Sequence, residues 1–169
     1  MKYVLDASVA ICWVIPRPLT PKAVRLRDEY QRQIHELLAP AVFIDEVAGA
    51  LTKAERQKDI AVGQAAPLYA KVMNSPPVLI AHAPLIARAI DISSRTRSGY
   101  YDCLYVALAE QEGCQLITAD QKSVNNLTPH FPFIVPLATL PSAGQFADLD
   151  RVARRIDSSR RQRHRQEQL

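Results

Sequence analysis

The pattern of apolar and polar positions is most distinctive between Tyr100 and Asp120, YYDCLYVALAEQEGCQLITAD, where a run without charge from Cys103 to Ala109 follows one acid and a short apolar segment precedes another. A helix that is apolar on every side is one buried on every side. Gly113 supplies its stop, and Gln115 to Ala119, apolar and partly β-branched, suits a buried parallel strand. Asp102 therefore falls in the first turn of a helix, where the backbone dipole favours negative charge. Asp120 falls just past the carboxyl end of a strand, the edge at which open parallel sheets bind ligands. Helix capping and turn formation are the ordinary work of such residues and would account for either acid alone.

The start of the chain repeats this logic. Tyr3, Val4 and Leu5 read as a short strand ending at Asp6, Ser8 follows, and Val9 to Ile15 is an uncharged helix stopped by Pro16 and Pro18. Thr20 and Pro21 read as a cap and a first helical position, opening a helix to about Gln33 with Ala23, Leu26, Tyr30 and Ile34 on its inner face. Ile34 to Ala39 is a strand, and Pro40 opens a helix whose stripe is Phe43, Val47, Ala50, Leu51 and Ala54. At about 100° per residue Glu46 lies roughly 60° from Phe43 and roughly 40° from Ala50, bordering the stripe, while Asp45 points away. An acid at the margin of a core needs a partner; Lys53 and a metal ion are the two candidates.

Further on, Ala61 to Met73 is helical, with Pro67 expected to divide it. Val78 to Ala81 is a strand, and Pro84 begins a helix to about Ser94 with Leu85, Ile86, Ala89 and Ile90 inward. Gln121 to Leu127 is a short helix or turn and Phe133 to Val135 the last strand. No internal repeat is present.

Composition adds three constraints. A chain of 169 residues with 48% hydrophobic content holds one domain with a core and is too short for two of ordinary size. No apolar run reaches the roughly 18 residues of a spanning helix, and the amino-terminal segment carries an acid inside its apolar run and lacks a small-residue cleavage site, so the expectation is a cytoplasmic protein with no membrane partner. Cys12, Cys103 and Cys114 lack C-x-x-C spacing and read as core residues in a reducing compartment. The net charge of +4 is unevenly placed: Arg151 to Leu169 holds seven Arg against Asp157 and Glu167, whereas the first 150 residues hold 14 basic and 15 acidic groups. The chain thus divides into a near-neutral domain over residues 1–140 and a basic extension over 141–169, helical or disordered, suited to a partner protein or to nucleic acid.

Four separated pieces, LDAS at the start, P-x5-E-x3-AL with Pro40, Glu46, Ala50 and Leu51, then YYDCLYVALAE and LITAD, resemble the PIN domain and in particular the VapC-like ribonuclease toxins of toxin–antitoxin pairs. The likeness spans about residues 1 to 137. It implies a three-layer α/β/α sandwich around a parallel sheet, with Asp6, Glu46, Asp102 and Asp120 gathered in one pocket that binds Mg²⁺ or Mn²⁺. By the same resemblance Asp6 and Asp102 are direct ligands, Glu46 and Asp120 complete the site, and the partners are an RNA substrate, a cognate antitoxin and a second copy in a homodimer. The chain departs from the family pattern at Gly49, where Asn is frequent, and in having no further acid close after Asp120, which leaves fewer ligands for a second metal.

The chemistry agrees with the resemblance. Crowded carboxylates repel one another and would take up protons unless a cation neutralised them, and hard oxygen ligands select a hard divalent ion. His35, His82, His130 and His164 lie outside the motifs, and no nucleophile triad, glycine-rich phosphate loop or zinc spacing competes. Ser8 and Thr118 are placed to orient carboxylates or waters. Arg88, Arg95, Arg97, Lys53, Arg56 and the Arg-rich extension are the candidate RNA contacts. The rival readings are a PIN-like module that binds RNA or a partner without cutting, and a receiver-type signalling domain, which would need paired acids after the first strand and a Lys after the last.

Overall fold

A computed structural model describes residues 1–141; the basic extension beyond them lies outside the described residues. Five short strands, β1 (Lys2–Leu5), β2 (Glu36–Pro40), β3 (Val78–Ile80), β4 (Gln115–Thr118) and β5 (Ile134–Pro136), form one sheet in the order β3-β2-β1-β4-β5. Every neighbouring pair is parallel. A parallel sheet needs cover on both faces, and the helices provide it. α1 (Ala7–Val14), α2 (Thr20–Gln31), α3 (Phe43–Arg56) and α4 (Ala65–Met73) pack on one another. α5 (Ile86–Thr96) lies along α6 (Tyr100–Glu112), which covers β1, β2 and β4, with α7 (Gln121–Leu127) on β4 and β5. This is the expected three-layer α/β/α sandwich. No described helix is long and apolar enough to cross a membrane.

The uncharged segments are where the core is. In α6 every residue from Cys103 to Ala109 is buried, as is α1 from Val9 to Trp13, and Val4, Leu5, Leu116 and Ile117 of the central strands join them. Gly113 ends α6 at φ 60°, the left-handed conformation a non-glycine residue adopts only with strain. Cys12 and Cys103 are buried and all three thiols are free.

Several boundaries and phases differ from expectation, each for a local reason. Pro40 closes β2 rather than opening a helix, because it continues the parallel register opposite Ile80 and the next amide, Ala41, donates to the Ile80 carbonyl. Thr20 is the first residue of α2 rather than its cap; its hydroxyl donates to the Cys12 carbonyl at 2.9 Å and so ties α2 to α1. Ile34 falls in the turn after α2 and is exposed, not on its inner face. Pro67 does not divide α4, since it occupies the helix's first turn, where no intrahelical amide is required of it. A 3₁₀ turn over Ala83–Leu85 precedes α5 and advances its phase, so the buried stripe is Leu85, Ala89 and Ile92, and Ile86 and Ile90, expected inward, face out.

The strand order also decides one rival. Receiver-type sheets run β2-β1-β3-β4-β5, whereas here β1 is central between β2 and β4. The residues after β5, Leu137, Ala138 and Thr139, include no Lys.

Candidate active site

The sheet's order reverses direction at β1 and β4, and the carboxyl ends of those strands flank the crevice in which doubly wound folds bind ligands. Asp6 follows β1 directly and caps α1: its Oδ1 accepts the Ser8 amide at 3.1 Å and its Oδ2 accepts the Ser8 hydroxyl at 2.9 Å. The Thr118 hydroxyl at the end of β4 donates to the same Oδ2. The Ser8 oxygen accepts the Ala119 amide and the Thr118 oxygen accepts the Asp120 amide, both at 3.0 Å, so the two strand ends are stitched together around Asp6. Ser8 and Thr118 therefore orient a carboxylate, as expected.

Asp120 caps α7, its Oδ1 accepting the amides of Lys122 at 2.8 Å and Ser123 at 3.3 Å. Asp102 sits in the first turn of α6 and is half-buried. Gly99, immediately before α6, leaves room for it: a Cβ there would stand 3.1 Å from Asp102 Oδ2. Glu46 lies in the first turn of α3, half-buried, with Asp45 exposed beside it. Among the described residues Lys53 forms no ion pair with it; the Tyr105 hydroxyl donates to Glu46 Oε2 at 2.5 Å.

Three of the acids, Asp6, Asp102 and Glu46, are raised above their ordinary range. Burial raises the Asp6 carboxyl above the ordinary range, opposed by the Thr118 and Ser8 hydrogen bonds and reinforced by Asp120. Burial likewise raises Asp102, the nearby Ser123 hydroxyl and Lys122 opposing while Asp6 and Asp120 add to it. Glu46 is pushed up to about 7, by burial first, against the Tyr105 hydrogen bond, with Asp6 and Asp102 adding repulsion. Asp6 and Asp102 line one narrow cleft with Tyr105, Thr118 and Ser123. Among the described residues no Lys or Arg forms an ion pair with any of the four.

Those observations test the site against a divalent ion. Among the described residues, no group of three or more His, Cys, Asp or Glu side chains converges closely enough to hold one. An ion of the magnesium type needs only one or two protein carboxylates, with waters completing its shell, and Asp6 and Asp102, oxygen donors facing one cleft without a cation, are the pair that could supply them. In that measure the residues fit. Asp6 and Asp102 both act on Glu46 and are both acted on by Asp120, but Glu46 is tied to Tyr105 and Asp120 to the start of α7.

Two of the candidate phosphate contacts are already engaged. Arg88 meets Glu110 at 2.7 Å and Asp91 at 2.6 Å, and Arg95 meets Asp91 at 2.7 Å. Sequence reasoning missed Tyr105 and Ser123. Tyr105 is the one residue with a polar tip between Cys103 and Ala109 apart from Cys103 itself, and a tyrosine buried in an apolar helix must place its hydroxyl somewhere, which was the available signal. The Ser123 hydroxyl is buried beside Asp102 without reaching a full hydrogen bond.

Known proteins resemble the chain in the same region. The PIN domain family model matches residues 3–125. Among solved structures, the PAE2754 protein of Pyrobaculum aerophilum superposes with a TM-score of 0.59 at 21% identity, covering 82% of this chain and 94% of its own. VapBC2 of Rickettsia felis, bound to a DNA fragment from its promoter, gives 0.57 at 13% identity over 80% and 97%. The Mycobacterium tuberculosis toxin VapC20, which cleaves the sarcin–ricin loop, gives 0.53 at 16% identity over 73% and 93%. No curated protein matches.

Proposed function

The chain belongs to the PIN domain family, and on that premise we propose that it is a divalent-metal-dependent endoribonuclease and the cytoplasmic toxin of a toxin–antitoxin pair. The observation that carries the reading is the set of half-buried acids at the carboxyl edge of the sheet, Asp6, Glu46 and Asp102 raised by burial and mutual repulsion and none of them ion-paired among the described residues. Protein interiors do not keep such groups without a compensating charge. We assign Asp6 and Asp102 as the ligands of Mg²⁺ or Mn²⁺, with Glu46 and Asp120 completing the site. When bound, the ion would acidify a water and draw charge from the phosphate oxygens. The chain's own part is to fix the ligands: Ser8 and Thr118 hold Asp6, Gly99 gives Asp102 its place, and Tyr105 holds Glu46.

RNA as substrate is supported by the likeness to a toxin that cleaves the sarcin–ricin loop, and an antitoxin partner by the likeness to the VapBC assemblies. A homodimer follows from the same kinship. With Arg88 and Arg95 engaged, Lys53, Arg56, Arg97 and the Arg-rich extension are left to hold the phosphate backbone, and such contacts make affinity fall steeply with salt. Truncation after Asp150 should weaken RNA binding and flatten its salt dependence; unchanged binding would remove the extension from the RNA site. The test of the activity is cleavage of RNA by purified protein with Mn²⁺ and its loss in Asp6→Asn. A protein that binds RNA and cuts none, with Asp6→Asn indistinguishable, would favour a non-cutting module.

A further inference from the structure

Among the described residues Tyr105 is the largest fully buried side chain, 1% exposed, and it stands on α6 one turn after Asp102. Its ring belongs to the core, but its hydroxyl reaches across to α3 and donates to Glu46 Oε2 at 2.5 Å. The start of α1 at Ala7, the residue after Asp6, lies near the same oxygen. One phenol thus lies between three parts of the site: the helix that carries Asp102, the helix that carries Glu46 and the strand end that carries Asp6. It also lines the cleft that Asp6 and Asp102 share.

We propose that Tyr105 is a positioning residue for the divalent-ion site, holding Glu46 in a fixed place relative to Asp6 and Asp102. The inference rests on the metal-binding reading above and adds to it a residue outside the four acids. Its physical basis is the asymmetry of buried hydrogen bonds. A carboxylate at the margin of a core that loses its only donor either takes a proton or swings to find another partner. Both outcomes remove a negative oxygen from the neighbourhood of the ion. Residues that orient ligands from behind commonly matter to metal affinity about as much as 10–100-fold. The Phe side chain keeps the ring and deletes only the hydroxyl, so Tyr105→Phe isolates this role from packing.

The test is the stabilisation by Mn²⁺ alone, without RNA, of the full chain as wild type, Tyr105→Phe, Glu46→Gln and the double variant, together with Mn²⁺ affinity by calorimetry. Circular dichroism and the metal-free melting temperature establish that each variant is folded. The expected result is an affinity about tenfold or more lower in Tyr105→Phe, and no further loss when the hydroxyl is removed from Glu46→Gln, because the two act as one unit. A merely structural role predicts otherwise: Tyr105→Phe would lower the metal-free melting temperature and leave the Mn²⁺ response intact, or the two losses would add. Either result overturns the proposal. If wild type itself shows no response to Mn²⁺, it is the metal-binding reading that fails, and the proposal with it.

Discussion

The two ends of α6 treat their acids in opposite ways. At the carboxyl end Glu110 meets Arg88 and Glu112 meets Lys2, both at 2.7 Å, and these bonds hold both carboxyls below their ordinary range. At the amino end Asp102 has no ion-paired partner among the described residues, and burial, with Asp6 and Asp120 behind it, pushes it up. The helix dipole favours an acid at the amino end and disfavours one at the carboxyl end. The chain thus pairs its acids where the backbone is unfavourable, and where three further acids crowd in it gives Asp102 no ion pair, Lys122 acting on it only from a longer range. Arginine is available a few residues away, at Arg95 and Arg97, so the uncompensated charge at the site reflects placement rather than shortage. Acids left without an ion pair are ones that an external cation can neutralise.

That contrast can be broken in graded steps. The largest expected effect is on catalysis: Asp6→Asn or Asp102→Asn should lower RNA cleavage by on the order of 100-fold or more, while Glu110→Gln leaves it within about twofold, read from initial rates at saturating Mn²⁺. Asn still caps a helix well, so the Asp6→Asn protein should remain folded and the loss be assignable to the carboxylate.

A smaller effect is expected from steric displacement alone. In Gly99→Ala the new methyl meets Asp102 Oδ2 at 3.1 Å, and pushing that carboxylate aside should reduce cleavage by on the order of tenfold without altering any ionisable group. Wild-type rates in this variant would mean that the position of Asp102 is not critical.

Next is the pH dependence of stability without metal. Glu46 is raised from 4.5 to about 7 in the folded chain. The folded state therefore binds more protons than the unfolded one between those values, and stability is lost as pH rises through that window. Glu110 and Glu112 are shifted the other way and contribute stability that is lost as pH falls. The melting temperature of wild type relative to Glu46→Gln should decline from about pH 5 to about pH 8; a flat difference would show that the acid is not strained.

The smallest effect belongs to the paired end. Breaking the exposed Arg88–Glu110 pair with Arg88→Ala should cost roughly 0–1 kcal/mol in denaturant unfolding and leave Mn²⁺ binding unchanged.

Much of this arrangement was legible in the amino-acid pattern, and the reasons are particular. Uniform apolarity in α1 and α6 marked them as buried, and the acids at their ends marked the sheet edge, because a buried strand and helix leave a charged residue nowhere else to stand. Helical angle alone separates Asp45 from Glu46, and Asp45 is exposed. What was not legible depended on phase or on distant partners. The 3₁₀ turn at Ala83–Leu85 turned Ile86 and Ile90 outward, a shift of one position that periodicity does not resolve. Pro40 resembled a helix start because the same fixed φ also suits the last residue of a strand. The partner of Glu46 is 59 positions away along the chain, and nothing local announced that a core tyrosine rather than Lys53 would meet it.

The most direct test is calorimetric titration of Mn²⁺ into metal-free wild type, Asp102→Asn and Glu110→Gln at pH 7.5. The account predicts saturable binding in wild type and Glu110→Gln and its loss in Asp102→Asn. Equal binding by all three, or none by wild type, would contradict it.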